Sequence, residues 1–227
     1  ALQLVGFRNP RIADISHLGR LERHHTTAKD DGLTYRVVSR VLNAANYGVP
    51  QRRERVFFVG FRADLGVEWT FPKATYSQDA LLWDQLNGDY WERHAVPSRD
   101  RWTDARLKNR ASRLQGQPGG KAWQTVRDAL SGLPDPETEL EASASILNHR
   151  YQPGARSYVG HTGSPVDEPA KTLKAGVHGV PGGENMMRRP DGSVRYFTVR
   201  ESARLQTFPD KFAFHGSWSE SMRQLGN

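Results

Sequence analysis

The sequence predicts an α/β fold, on three observations. Two apolar segments, Tyr35 to Leu42 and Val56 to Phe61, read as strands, and the short stretch between them holds the turn Gly48-Val49-Pro50. Strands so connected pair as neighbours. Apolar residues recur at helical spacing in Ile12, Ile15, Leu18 and Leu21, and again from Thr125 to Leu130 with Leu133. Two Ser/Thr-x-x-Glu signatures, Thr198 to Glu201 and Ser217 to Glu220, mark helix starts near the end of the chain.

In chain order, a helix is expected over Ile12 to Arg23, followed by a polar loop from His24 to Asp31. The strand Tyr35 to Leu42 alternates around Val37 and Val41. The second strand, Val56 to Phe61, is so apolar that it reads as buried, and the dense cationic run Gln51-Arg52-Arg53-Glu54-Arg55 leads straight into it. Guanidinium groups at the mouth of a buried strand call for an anion or a polar ligand, because their planar fork of donors matches phosphate oxygens and base edges.

From Phe71 the periodicity weakens, which sets a domain boundary: residues 1–70 on one side and 71–192 on the other, with 193–227 forming a third segment. Trp102 to Leu114 is basic and reads as a helix, either solvated or phosphate-facing. Gln117-Pro118-Gly119-Gly120 reads as a linker. The helix from Thr125 is stopped by Pro134, and Asp135 to Ala144 reads as an acidic surface loop. Tyr151 to Gly192 is rich in Gly and Pro and long for a structureless segment, which points to function. Helices follow from Thr198, ended by Pro209, and from Ser217 to Leu225.

With 227 residues, the chain suits one large domain or two small ones. Lys and Arg number 32 against 25 Asp and Glu, a net charge of +7, which fits a nucleic-acid partner through counterion release. The other reading of that charge is a solvated basic face. There is no cysteine, so this chain holds no disulfide, no thiolate metal site and no cysteine nucleophile. No apolar run reaches the roughly 18 residues that a bilayer span needs. A cytoplasmic location is the expectation, at the nucleoid when DNA is bound in a prokaryotic cell. Both ends, Ala1-Leu2-Gln3-Leu4 and Gly226-Asn227, read as cut rather than natural.

Three blocks carry a family resemblance. Asn43-Ala44-Ala45-Asn46-Tyr47-Gly48-Val49-Pro50-Gln51-Arg52-Arg53-Glu54-Arg55-Val56 resembles the eighth motif of DNA (cytosine-5) methyltransferases. Arg200-Glu201-Ser202-Ala203-Arg204-Leu205-Gln206-Thr207-Phe208-Pro209-Asp210 resembles the ninth, and Gln224-Leu225-Gly226-Asn227 the start of the tenth. The family keeps its target-recognition domain between the eighth and ninth. The resemblance therefore implies a remnant of a methyltransferase-type Rossmann-like sheet in 1–70. It implies a mostly β and loop target-recognition domain in 71–192, and returning helices in 193–227.

It also implies the C-terminal part of a type II restriction-modification enzyme that moves a methyl group from S-adenosylmethionine to C5 of a flipped cytosine in double-stranded DNA. The segments that bind most of the cofactor and supply the Pro-Cys nucleophile precede the eighth motif in the family and are not in this chain. They are expected on a second chain or truncated away, and this chain alone is expected to be inactive. By resemblance, Arg55 reaches the flipped cytosine at O2, Arg53 supports the active-site loop or a phosphate, and Gln51 holds the turn. Thr172 and Leu173 match the Thr-Leu pair that lies beside the flipped nucleotide. Lys171, Lys174 and His178 add phosphate contacts, and the glycine-rich stretch from Gly176 lets backbone approach DNA. Asn227 falls near the cofactor.

Arg200, Glu201 and Arg204 read as architectural. His24, His25 and His149 lack partners at metal spacing and read as solvated. Trp83, Trp91, Trp102 and Trp123 are expected to pack the recognition domain's core. The competing class is a non-catalytic DNA-binding protein derived from such a fragment.

Overall fold

A computed structural model describes residues 34–102, 104–175 and 185–227. The expected helix at Ile12–Arg23, and His24 and His25, lie outside them. The fold is mixed α/β, with four small sheets and short helices among the described residues. The chain divides into two compact units, Ala1–Arg40 with Phe57–Phe71, and Val41–Val56 with Pro72–Asn227.

Both expected strands form. β1 spans Tyr35–Asn43 and β3 spans Glu54–Arg62, and they pair with each other. Ala63 N–H donates to the Thr34 carbonyl and Ala44 N–H to the Arg53 carbonyl, so the pair runs antiparallel. The expectation of burial fails. Phe57 and Phe58 point to opposite faces of β3 and both are exposed, Phe58 at 72%; Val37, Val38, Val41 and Val56 are exposed too. The physical reason is the width of the sheet: among the described residues it has two strands, too narrow a ribbon to bury both of its faces. In the first unit, Trp69 meets the Phe71 ring edge to face at 4.6 Å with Phe61 tilted beside it, and the Arg40 guanidinium lies over the Phe71 ring at 5.2 Å.

In the second unit, a 3-10 turn at Ala44–Tyr47 is capped by the Asn43 side chain, which accepts from Ala45 N–H. Gly48 closes it in the left-handed region at φ 88°, where a side chain is strained, and a Cβ there would also press on the Tyr76 ring. β2 is Gln51–Arg52. β4, Tyr76–Ser77, pairs in parallel with β5, Lys121–Ala122, so the glycine-rich stretch at Gln117–Gly120 feeds a strand within this unit. α1 spans Gln78–Asn87, with Ser77 as its cap, and α2 spans Tyr90–Arg93. The basic segment forms α3, Ala105–Ala111, capped by Asp104. α4, Val126–Leu130, starts with a Thr125–Asp128 capping box.

Asp135 to Ala144 is not all loop, because α5 spans Leu140–Ala144. Tyr151 to Gly192 is also more structured than its composition suggests. It contains β6 (Ser164–Pro165), β7 (Ala170–Lys171) and β8 (Met186–Arg188) and buries Val166, Ala170, Leu173, Met186 and Met187. These strands are too short to show an alternating pattern, so tertiary contacts place them. β8 pairs in parallel with β6 and antiparallel with β9, Val194–Tyr196. Both Glu-containing signatures form complete capping boxes, on α6 (Val199–Leu205) and α7 (Trp218–Gly226).

The main core joins Val126, Val166, Leu173, Phe197, Leu205 and Met222 with their neighbours. A second cluster holds Leu81, Tyr90, Trp91 and Val96, with Trp102 and Trp123 against it. Trp83 is half-buried and stands outside that cluster.

Candidate functional site

The site is built where three distant segments of the second unit meet. The first is the turn after β1. Its backbone is held by Thr75 N–H donating to the Asn46 carbonyl, by the Tyr47 hydroxyl on the Pro72 carbonyl and by the Trp123 indole N–H on Asn46 Oδ1. The second is β7 and its continuation. β7 runs parallel to β2 with Gln51 opposite Ala170 and Arg52 opposite Lys171. The Thr172 hydroxyl extends the tie by donating to the Arg52 carbonyl at 2.7 Å. The third is the end of α7. A Cβ on Gly226 would collide with the backbone of Lys174 and Ala175, so only glycine lets the helix end seat there.

Arg53 joins the first segment to the third. Its Nη2 donates to the Gly226 and Asn227 carbonyls at 3.4 and 3.3 Å. Burial, and after it the neighbouring charge of Arg55, lower its pKa, yet a guanidinium starts so high that it stays charged. Gln51 is buried beneath the turn. Gln51 Nε2 and Arg53 Nη1 are both buried donors with no acceptor among the described residues. Arg55, by contrast, is exposed at the start of β3, where its Nη1 donates to the adjacent Glu54 carbonyl at 2.7 Å.

The other expected site residues divide. Leu173 is buried in the main core. Lys171 Nζ reaches the Thr162 hydroxyl at 3.3 Å. Lys174 is clamped through its backbone: its N–H donates to Asn185 Oδ1, and Asn185 Nδ2 donates back to its carbonyl. Asn227 caps α7, its N–H donating to the Arg223 carbonyl. Gly176 and His178 lie outside the described residues. Asn185 and the Arg52–Glu168 ion pair at 3.2 Å had no signal in the sequence, because each joins residues far apart in the chain. Burial raises the Glu168 pKa, although Arg52, Arg188 and Lys171 pull it the other way.

The architectural residues behave as their positions suggest. Arg200, with no exposed surface, donates to the carbonyls of Leu147, Pro209 and Phe212. Glu201 caps α6 and forms a two-pronged bond to the buried Arg195 at 2.7 Å. Arg204 pairs with Asp210 and donates to the Ala129 and Ser131 carbonyls. His149 is not solvated. It is fully buried between the Thr198 hydroxyl at 2.9 Å and the Pro134 carbonyl at 2.8 Å, so its ring is a structural bridge. Among the described residues no helix is long and apolar enough to cross a membrane, and no cluster of three or more His, Asp or Glu residues could hold a metal ion.

Residues 16–227 match the family model of the C-5 cytosine-specific DNA methylase. The chain belongs to that family. Among its DNA methylase relatives, the type II methyltransferase M.MthTI of Methanothermobacter thermautotrophicus is 30% identical over 228 residues, covering 91% of this chain and 55% of the relative. M.Eco47II of Escherichia coli is 31% identical over 191 residues, covering 83% of this chain and 41% of the relative. The chain thus spans about half the length of the curated methylases it matches. A solved structure of a putative DNA modification methyltransferase encoded within an E. coli prophage aligns at a TM-score of 0.49 and 20% identity, covering 98% of this chain and 62% of that one.

Proposed function

We propose that this chain is the C-terminal part of a DNA cytosine-5 methyltransferase. It supplies target recognition and the arginine contacts to a cytosine flipped out of duplex DNA, whose C5 receives a methyl group. The observation that carries this reading is the meeting of Gln51–Arg53, Thr172–Ala175 and Gly226–Asn227 in one place. A C5 of cytosine is not nucleophilic until a thiolate adds at C6, and the base must leave the stack for that addition. With no cysteine in 227 residues, the nucleophile comes from outside this chain, on the same polypeptide or a second one.

What these residues contribute is positioning and charge. Arg55, exposed at the mouth of β3, donates to O2 of the flipped cytosine and stabilises the negative charge that builds on the ring as C6 is attacked. Arg53 fixes the turn that carries Arg55 against the end of α7. Thr172 locks the recognition segment to the same turn, and Lys171 and Lys174 contribute phosphate contacts, a role also assigned to Gly176 and His178 on sequence alone. The buried, unpaired donors Gln51 Nε2 and Arg53 Nη1 support the reading, since acceptors from the remainder of the enzyme satisfy them.

S-adenosylmethionine supplies the methyl group. Among the described residues, Asn227 is the one assigned to that cofactor's site. The cavities of about 550 and 690 Å³ in the second unit are lined by other residues. The main cofactor contacts are assigned to the remainder of the enzyme.

The test mixes the chain with a polypeptide supplying the cofactor loop and the cysteine, and measures tritiated methyl transfer to DNA. Arg55→Ala is expected to lower turnover by ~100-fold or more, the scale of losing one positioned donor, with DNA affinity changed by less than ~5-fold. Unchanged turnover removes Arg55 from its role. Absence of transfer on mixing, with DNA binding intact, favours the non-catalytic DNA-binding protein.

A further inference from the structure

We propose that Glu168 is a positioning residue for methyl transfer: ionised, it holds Arg52 and with it the strand pair β2–β7, so that the chain beyond β2 presents Arg55 to the flipped cytosine. The assignment rests on the methyltransferase reading above and adds to it a residue that acts through another.

Glu168 lies between β6 and β7. Its Oε2 pairs with Arg52 Nη1 at 3.2 Å. Arg52 stands opposite Lys171 in the parallel β2–β7 register, and its carbonyl accepts the Thr172 hydroxyl at 2.7 Å. Both ends of Arg52 are thus held by one short segment, the backbone by Thr172 and the side chain by Glu168. Two residues of ladder make a weak pairing, and parallel pairing is the less stable kind per residue, so the register leans on these side-chain ties. The ties also sort a crowded run. Arg52, Arg53 and Arg55 fall within four residues. Glu168 takes Arg52, the carbonyls that end α7 take Arg53, and Arg55 is left exposed.

The fold bears a cost for this carboxylate. Its side chain is 16% exposed, against 33% for Arg52. Around it stand Arg52 from β2, Lys171 from β7, Arg188 from β8 and Asp104 from the cap of α3. Asp167 beside it is taken by Arg127 and the Tyr90 hydroxyl. Burial is the largest influence and pushes the Glu168 pKa up; Asp104 adds to the rise, and the three cations oppose it. With its pKa raised, the folded chain binds the proton more tightly than the unfolded one. Stability therefore falls as pH rises through that interval, and at neutral pH the ionised group costs the fold stability. A contact present only for stability runs the other way, and a charge held against its own cost beside a reaction centre is the pattern of a working group. The segment itself does not depend on the side chain, since the Glu168 carbonyl accepts Val126 N–H at 2.9 Å.

The test uses the mixture that transfers tritiated methyl groups, with kcat and the KM for DNA read separately from mildly acidic to neutral pH, and the melting temperature of each variant chain. Glu168→Gln is expected to lower kcat at neutral pH by ~10-fold or more, the scale of a displaced reacting group. The KM for DNA stays unchanged, and the melting temperature equals or exceeds that of the unaltered chain. The ratio of unaltered to variant kcat shrinks toward one as pH falls and Glu168 takes up its proton. Glu168→Asp, which keeps the charge, recovers part of kcat. Arg52→Gln lowers kcat by itself but costs nothing further when added to Glu168→Gln, because both remove the same bond. A lower melting temperature with kcat reduced alike at every pH makes Glu168 a structural tie and overturns the assignment. Unchanged kcat, or additive losses in the double variant, overturns it too. In each of these cases the methyltransferase reading stands. Absence of transfer by the unaltered mixture overturns both.

Discussion

Arg53 and Arg55 are two residues apart and do opposite things. Arg53 turns inward to the carbonyls that end α7, whereas Arg55 stays exposed at the surface with its Nη1 on the adjacent Glu54 carbonyl. A break in alternation explains the split: residues i and i+2 share a face in a regular strand, but Arg53 lies between β2, which ends at Arg52, and β3, which starts at Glu54. His149 is the residue where composition misled. A histidine with no neighbouring ligand in sequence reads as solvated, but its partners, Thr198 and Pro134, come from other elements, and nothing local announces them. The Thr198 hydroxyl also caps α6, so the ring supports a capping group. His149→Phe removes both ring bonds, leaving the Thr198 hydroxyl with its capping bond alone and the buried Pro134 carbonyl without this donor, and is expected to cost about 1–3 kcal/mol in denaturant unfolding. His149→Gln, which can restore one bond, is expected to cost less.

Elements whose signals are local were legible in the sequence. The capping boxes at Thr198 and Ser217 need only four consecutive residues, and both form as read. The β-strands of two or three residues were not legible, because Ser164–Pro165 or Ala170–Lys171 is a strand only through its partner. The connection between α4 and α5 shows how such elements are fastened. Burial works to raise the pKa of Asp135, but the Glu137 N–H, the Arg189 guanidinium and the charge of Arg195 outweigh it and hold the carboxyl below its ordinary value. A lowered acid pKa stabilises the fold above the unfolded value, about 3.9, and that contribution is lost as pH falls through the folded value. Thermal stability of the unaltered chain should therefore drop on acidification below about pH 4. Asp135→Asn should start less stable at neutral pH and lose less over that interval.

At the scale of the whole molecule, the family was legible, read from the resemblance of three blocks in order, and the strand pair β1–β3 was legible as strands. Its exposure was not. A run such as Val56-Phe57-Phe58-Val59 announces a strand covered on both faces, and sequence alone does not say which chain provides the cover. The exposed ribbon is expected to bind the dye ANS. Phe58→Ser should reduce that fluorescence and the light scattering of concentrated solutions while moving the melting temperature by less than ~2 °C, because an exposed side chain contributes under ~0.5 kcal/mol. A shift larger than that would mean Phe58 is packed.

The bonds that close the site also set a timetable. Thr172 finds its acceptor 120 residues back along the chain, and Arg53 finds its own 173 residues ahead. Contacts of such separation form late, after the intervening chain has been ordered. During synthesis the turn at Gly48 emerges long before Gly226 exists to receive Arg53, and the segments between them must fold around an unfinished centre. The arginine cluster is therefore assembled last, so a chain interrupted before α7 carries its motif without the anchor that aims it.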